Sequence, residues 1–189
     1  MNTKDRILDM ARSMIAEGGY HATTTAALAA KANISEGTIY RHFKSKEDIL
    51  VRILEDLNDS YSRFLLDLRS KADGGPGTIE TMVKEHSRFV EQNIDAMRIV
   101  LSSYAYLDPS KQSMTSVIKR MSVFFEEHLE RAAEDGIIDK GPNKENAMLM
   151  VTLLLGIMRL KLYWPEIGNL SDQAVDFCRR SLGSGENNS

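Results

Sequence analysis

The chain has 189 residues, of which 42% are hydrophobic, and it carries a formal net charge of −3. This length allows one large domain or two small ones, each with a real hydrophobic core. The net negative charge argues against a protein that coats nucleic acid nonspecifically. Residues 1–50 contain seven Lys/Arg and six Asp/Glu, whereas the remainder contains 17 and 21. Any contact with nucleic acid must therefore depend on where individual basic side chains lie.

Cysteine content and hydropathy predict the compartment in which the protein works. Cys178 is the single cysteine, so no intramolecular disulfide can form and a reducing cytoplasm is expected. The first twelve residues are charged and helix-like, so we expect no signal peptide. The longest apolar stretch, residues 147–158, is too short to span a bilayer, and no membrane association is predicted.

The chain is predicted to be all-α, because its few prolines and glycines are the main interruptions and no segment alternates like a strand. Asn2, Ser35 and Ser45 are typical capping residues at helix starts. Asn33-Ile34-Ser35 predicts a tight turn, since asparagine tolerates the left-handed conformation. About nine helices are expected, near residues 3–17, 24–32, 35–43, 45–71, 78–94, 96–107, 109–135, 144–164 and 171–182.

The fourth helix is long and carries one apolar seam. Its large apolar residues are spaced by four, three, four, three and four positions: Leu50, Leu54, Leu57, Tyr61, Phe64 and Leu68. This spacing marks one helix face, so the seam should join an N-terminal unit to the rest of the chain. A Gly/Pro-rich run at 72–77 then predicts a loop. We expect a first domain at 1–47, a second at 48–183 and a disordered tail at 184–189.

The second and third helices, with the turn between them, have the length of a helix-turn-helix. Ile39 and Phe43 are four residues apart and therefore share a face of the third helix. Together with Leu28 and Ile34 they can form the small core of this unit. The opposite face of the third helix is left to polar, aromatic and basic side chains.

Those remaining side chains suit a contact with DNA. Thr38 and Arg41 lie three apart on the outer face and could reach base edges, with Arg41 donating two hydrogen bonds to a guanine. Tyr40 and His42 flank that face and suit phosphate oxygens. Lys46 lies in the first turn of helix four, where its charge and the free backbone amides can hold a phosphate. A capped helical hairpin with a merely solvated face remains the alternative.

A series of short motifs sharpens this interpretation. They are Gly18-Gly19-Tyr20, Thr23-Thr24-Thr25, Leu28-Ala29, Ile34-Ser35, Gly37-Thr38-Ile39-Tyr40, His42-Phe43 and Ser45-Lys46-Glu47. In this order and spacing, residues 4–50 resemble the DNA-binding domain of the TetR family of bacterial and archaeal transcriptional regulators. Asn33 departs from the family pattern, which usually has glycine there. The alanine pairs at 26–27 and 29–30 leave helix two with few polar contacts.

The resemblance implies roles for individual residues. Thr25 would start helix two and contact phosphate, residues 36–41 would read bases, and three side chains would clamp the DNA backbone: Tyr40, His42 and Lys46. The full predicted DNA-binding set is Thr24, Thr25, Ser35, Glu36, Gly37, Thr38, Tyr40, Arg41, His42 and Lys46. The expected partner is double-stranded DNA with a near-palindromic operator, bound by a homodimer.

For residues 48–183 the resemblance implies a helical ligand-binding and dimerisation domain. The helix at 144–164 is apolar on several faces, so it must bury more than one of them. One face could meet its own core and another a second subunit. The family pattern implies that the helices at 144–164 and 171–182 pair with their copies as a four-helix bundle.

A ligand pocket in that domain is plausible from aromatic, methionine and arginine residues. The candidate lining residues are Tyr104, Met121, Phe125, Met158, Arg159, Tyr163 and Trp164. Methionines adapt to irregular ligands, although the same residues also suit ordinary core packing. Arg159 interrupts an apolar helix and could neutralise an anionic ligand or pair with a carboxylate across an interface.

The expected function is that of a homodimeric transcriptional repressor released from its operator by a small, largely apolar effector. One alternative is a constitutive or protein-partner-controlled regulator without a small-molecule ligand. Another is an all-helical small-molecule carrier or enzyme. No cofactor is expected, and no nucleophile–base pair or paired catalytic carboxylates stand out. His86 and His128 lack neighbours at metal-ligand spacing, so no metal site is expected.

Overall fold

The computed structural model describes residues 2–71, 77–168 and 170–183, and these residues form nine α-helices, one short 3-10 turn and no strand. The all-helical prediction is confirmed. The helices are α1 Thr3–Gly18, α2 Thr25–Lys31, α3 Glu36–His42, α4 Lys46–Lys71, α5 Thr78–Gln92, α6 Ile94–Ser103, α7 Asp108–Glu134, α8 Asn143–Tyr163 and α9 Ser171–Leu182. Most of the predicted loop at 72–77 and the predicted tail at 184–189 lie outside the described residues.

The described residues pack as two compact units. The first unit comprises those within Met1–Ser60 and Asn93–Ser116, and the second those within Tyr61–Gln92 and Val117–Ser189. Helices α4 and α7 each contribute residues to both units. The first unit thus holds α1 to α3 together with α6 and the first parts of α4 and α7. The expected functional boundary after residue 47 stays a prediction.

Side-chain caps begin the first three helices, at Asn2 and Ser35 as the sequence predicts and also at Thr24. The Asn2 side chain accepts a hydrogen bond from the Asp5 backbone N–H at 2.9 Å, within a complete capping box. The hydroxyl of Thr24 caps α2 by accepting from the Ala27 N–H at 3.1 Å. Ser35 caps α3 by accepting from the Thr38 N–H at 3.2 Å. These local bonds satisfy N–H groups that have no partner within their own helices.

The turn between α2 and α3 has the left-handed backbone that its sequence predicts. Asn33 has φ of +52°, and the Ile34 N–H donates to the Ala29 carbonyl at 3.0 Å. Asparagine occupies this conformation more readily than most residues with a side chain. The turn brings the apolar sides of α2 and α3 together. Leu28, Ile39 and Phe43 are all 3% exposed or less, whereas Ile34, within the turn, is half-buried.

The apolar seam of α4 is buried along nearly its whole length. Leu50, Leu54, Leu57, Tyr61 and Leu68 are buried, and Phe64 is half-buried. In the second unit α5 packs against α8 and α9, and α8 packs against α9. The helix predicted at 96–107 is shorter than expected, because α6 ends at Ser103 and residues 104–106 form the turn that leads into α7.

Helix α8 has two apolar faces. One face is buried and consists of Ala147, Met150, Val151, Leu154, Met158 and Leu162. The other face exposes large side chains, with Met148 at 47%, Leu149 at 67% and Tyr163 at 54% exposure. By length and composition α8 could cross a membrane, being longer than the apolar run at 147–158, but core helices of soluble proteins pass the same test. This helix is therefore only weak evidence for a membrane span.

Candidate nucleic-acid interface

Helix α3 separates its buried side from a polar outer side. Ile39 is fully buried, whereas Arg41 and His42 are exposed and Tyr40 is 53% exposed. Within the described ranges Arg41 forms no ion pair, so its guanidinium donors remain available. The predicted reader Arg41 and the predicted clamps Tyr40 and His42 thus lie on solvent-facing positions. An α-helix with such a face can enter the major groove.

Thr38, which is predicted to contact bases, is fixed in place by Ser35, the residue that caps α3. Thr38 is half-buried, and its hydroxyl lies 3.0 Å from the Ser35 hydroxyl. The Ser35 oxygen also accepts from the Thr38 N–H, so one serine fixes both the backbone and the side chain of Thr38. Glu36 and Gly37 lie between them and are exposed. Gly37 has no side chain and so permits a close approach, although the protein itself would accommodate a Cβ there, with the Ser35 hydroxyl oxygen 3.7 Å away.

Two predicted phosphate contacts meet at the junction of α2 and α3. The hydroxyl groups of Thr25 and Tyr40 lie 3.3 Å apart, although fifteen positions separate them in sequence. A single phosphate oxygen could therefore accept hydrogen bonds from both groups. Thr24 is exposed one residue earlier, but its oxygen already accepts the capping hydrogen bond of α2.

The predicted clamp Lys46 is half-buried at the start of α4. Its ammonium donates to the Tyr20 carbonyl oxygen at 2.9 Å and lies 4.2 Å from the centroid of the Tyr20 ring. Burial, and secondarily the Glu47 carboxylate, raise the pKa of the Tyr20 hydroxyl, so this ring stays neutral near pH 7. The lysine is thus fixed against the turn that follows α1.

Comparison with known proteins identifies this unit. The family model described as bacterial regulatory proteins, tetR family, matches residues 7–53, which span α1 to α3 and the start of α4. Residues 7–53 therefore form a DNA-binding domain of the TetR family. This match supports a DNA-binding transcriptional regulator of that family rather than an enzyme.

Relatives of known sequence and structure extend this likeness beyond the matched segment. Uncharacterized HTH-type transcriptional regulator YvkB of Bacillus subtilis (strain 168) is 27% identical over 161 residues, which cover 85% of this chain and 84% of that protein. Several other curated regulators match over only about a third of their length, such as the Fatty acid metabolism regulator protein of the same organism at 35%. For those relatives the match says nothing of the remaining two thirds.

Two solved structures share the fold of this chain. The regulator PfmR from Thermus thermophilus has a TM-score of 0.76 and 23% identity, with all of both chains covered. AibR, solved in complex with isovaleryl coenzyme A and operator DNA, has a TM-score of 0.72 and 19% identity, with 93% of this chain and 95% of that chain covered. At these identities the likeness concerns the fold alone.

The predicted ligand-binding residues lie in three different environments: an open cavity, the buried interior of the second unit, and the surface of the first unit. Arg159, Tyr163 and Trp164 line one open cavity of about 290 Å³ at the end of α8, together with Leu160. Met121, Phe125 and Met158 are buried in the second unit, each 3% exposed or less. Tyr104 belongs to the first unit and is 38% exposed. Their role in binding a ligand stays a prediction.

Sequence reasoning missed two polar groups within the apolar interior of the second unit. The Tyr61 hydroxyl is fully buried and has no hydrogen-bond partner within the described part of the chain. His86 meets the Tyr61 ring edge-on at 6.4 Å, and burial lowers the pKa of His86 to about 4. In the sequence, Tyr61 is one more apolar position of the α4 seam. The spacing predicts that its ring is buried, but it does not predict whether its hydroxyl has a hydrogen-bond partner.

Sequence reasoning also did not predict a contact between two aromatic residues of the first unit, His21 and Tyr106. The His21 ring stacks on the Tyr106 ring, with centroids 5.5 Å apart. His21 directly follows the Gly18-Gly19-Tyr20 motif, but Tyr106 lies on another helical connection far along the chain. A contact of this kind depends on the packing of α1 against α6, which no local pattern reveals.

Proposed function

We propose that this protein is a homodimeric, sequence-specific repressor that a small, largely apolar ligand releases from a near-palindromic operator in the cytoplasm. The observation that carries the proposal is the outer face of α3, where Arg41, His42 and Tyr40 are exposed opposite the buried Ile39. The family assignment supports DNA binding and transcriptional regulation. Repression, the ligand and the dimer are our own inferences.

In this proposal each polar group of the interface has a defined role. Arg41 donates two hydrogen bonds to a guanine, and the methyl group of Thr38 contacts a thymine. The Thr25 and Tyr40 hydroxyls share a phosphate, as their 3.3 Å separation allows. Lys46 binds a further phosphate from the start of α4. In a dimer, the two copies of α3 would enter successive major grooves about 34 Å apart.

The proposed dimer forms through α8 and α9. Exposed apolar side chains on α8 support this, in particular Leu149 at 67% and Met148 at 47% exposure. Phe177 of α9 is 56% exposed, and α9 packs against α8 in the same unit. Several large apolar side chains exposed on two helices that pack together are typical of an interaction surface.

The proposed effector binds in the second unit. The cavity beside Arg159, Tyr163 and Trp164 combines two aromatic rings with one cation, which suits an apolar molecule carrying an anionic group. Binding would favour a dimer arrangement with the wrong spacing of the two α3 helices and so weaken operator binding. Whether such a ligand exists decides between this proposal and a regulator controlled by a protein partner.

Fluorescence anisotropy with the promoter upstream of the protein's own gene tests the DNA-binding role. Wild-type protein should bind this duplex in preference to a scrambled one. Arg41→Ala should relax the sequence preference, because it removes a base contact, and Lys46→Ala should weaken binding to both duplexes and flatten its salt dependence. If both variants remain folded and dimeric yet bind like wild type, the assigned interface is wrong.

A thermal-shift screen with apolar anions and cationic drugs tests the effector. A compound that raises the melting temperature and releases the operator supports ligand control. Arg159→Ala should then weaken binding of anionic compounds, whereas Lys140→Ala, on an exposed loop, serves as the matched loss of charge. A regulator without a ligand would respond to none of these compounds.

A further inference from the structure

The Lys46 side chain is held in place before any DNA binds. Its ammonium contacts both the carbonyl oxygen and the ring of Tyr20, at 2.9 Å and 4.2 Å. An ammonium has three N–H donors, so the carbonyl and the ring face leave at least one for a phosphate oxygen. A lysine that is already immobilised loses less rotational freedom on binding than a free one.

A row of rings connects Tyr20 to the corner between α6 and α7, which comprises residues 104–107. The Tyr20 ring meets the His21 ring edge-on, with centroids 5.4 Å apart. The His21 ring stacks on the Tyr106 ring at 5.5 Å and an interplanar angle of 27°. All of these residues belong to the first unit. The row Tyr106–His21–Tyr20 therefore ends at the Lys46 ammonium.

The corner is fixed by hydrogen bonds that do not involve the Tyr106 ring. The N–H groups of Tyr106 and Leu107 donate to the Ser103 carbonyl at 3.1 and 2.9 Å. The Ser103 hydroxyl donates to the buried Ser110 hydroxyl at 2.7 Å. The Tyr106 ring is itself 53% exposed. Truncating this ring should therefore remove its contact with His21 without opening the core.

We propose that Tyr106 and His21 are positioning residues, which orient the phosphate-binding Lys46 through Tyr20. This inference rests on the proposed role of Lys46 in DNA binding. Tyr106 contributes to operator affinity without touching DNA, because its ring supports His21 and His21 supports the ring on which the ammonium lies. The geometry of the α6–α7 corner thus becomes a determinant of how tightly the operator is held.

A double-mutant cycle on the full-length protein tests the proposal, with operator affinity measured by fluorescence anisotropy. Tyr106→Ala and His21→Ala should each weaken binding about 2- to 10-fold, the expected effect of releasing one long side chain. In the Lys46→Ala background the same substitutions should have no effect. Tyr106→Phe and His21→Phe keep a ring in place and should bind like wild type.

Gln112→Ala is the control, because Gln112 is exposed and uncharged, lies in the first unit near the start of α7, and belongs neither to the row of rings nor to the predicted ligand site. It should leave affinity unchanged. Equal losses from Tyr106→Ala in both backgrounds, or no loss in either, would overturn the proposal. A loss from Tyr106→Phe as large as that from Tyr106→Ala would also overturn it, since the hydroxyl would then contact DNA directly.

Failure of this inference and failure of the proposed function give different results. If wild-type protein shows no preference for its operator, or Arg41→Ala has no effect, the proposed DNA interface is wrong and the inference falls with it. If Arg41→Ala weakens operator binding while Tyr106 and Lys46 show no coupling, the interface stands and only the positioning role is refuted. Thermal melting of each variant at equal concentration confirms that the compared proteins are folded.

Discussion

Replacing His86 with leucine should remove part of the acid sensitivity of this protein's stability. His86 is 4% exposed and packs edge-on against the rings of Tyr61 and Phe64, and burial lowers the pKa of the imidazole from 6.5 to about 4. The unfolded chain therefore binds this proton more readily than the folded chain between pH 6.5 and 4. The stabilising contribution is fully present above pH 6.5 and is lost as the pH falls through that window.

The expected change in the free energy of unfolding follows from the pKa shift of His86. Each pKa unit corresponds to about 1.4 kcal/mol, so the whole window amounts to roughly 3 kcal/mol and the part above pH 5 to about 2 kcal/mol. Urea melts at pH 7.5 and pH 5.0, at one protein concentration, measure the loss for wild type and for His86→Leu. The variant should lose about 2 kcal/mol less than wild type over this interval.

Phe89→Leu is the control for packing, because Phe89 is buried beside the same Tyr61 ring but does not titrate. It should lower the free energy of unfolding by a similar amount at both pH values. Burial also lowers the pKa of His128, so some acid sensitivity should remain in His86→Leu. Equal losses between pH 7.5 and 5.0 in wild type and His86→Leu would show that the buried imidazole does not control this dependence.

Three other substitutions test separate parts of the molecule. Tyr61→Phe removes a buried hydroxyl that has no partner among the described residues, so the free energy of unfolding in urea should rise by about 1 kcal/mol; a fall would show that the hydroxyl is paired. Gly183→Ala should lower it by about 1–2 kcal/mol, because φ is +75° and the new Cβ would meet the Asp139 carboxylate. Leu149→Glu charges the exposed face of α8 and should shift the dimer toward monomer in analytical ultracentrifugation, with a persistent dimer excluding this face as the interface.

The N-terminal helices were predictable because their boundaries depend on local chemistry. The caps at Asn2, Thr24 and Ser35 are each satisfied by a backbone N–H three residues later. The left-handed turn at Asn33 likewise follows from the properties of one residue. Such signals lie within a few positions of each other in the sequence, so no knowledge of tertiary packing is needed to interpret them.

The second unit was less predictable because α8 is apolar on both faces. Residue type alone could not distinguish the buried Met158 from the exposed Tyr163, and both were chosen as ligand-binding candidates. The helical period does separate the two faces, but it does not say which face meets the core. That choice depends on the packing of α5 and α9 against α8, which is a property of the whole unit.

The first fifty residues carry little net charge for a unit proposed to bind DNA, and the way their polar side chains are held offers a physical reason why few charges can be enough. Several predicted DNA contacts are already paired within the protein, since Thr25 lies beside Tyr40 and the Ser35 hydroxyl holds Thr38. Groups held in this way lose little conformational freedom on binding, so fewer charges can give the same affinity. A domain that relies on orientation rather than on net charge should be sensitive to whatever holds those side chains. Contacts behind the proposed interface should then contribute to DNA binding alongside the residues that touch it.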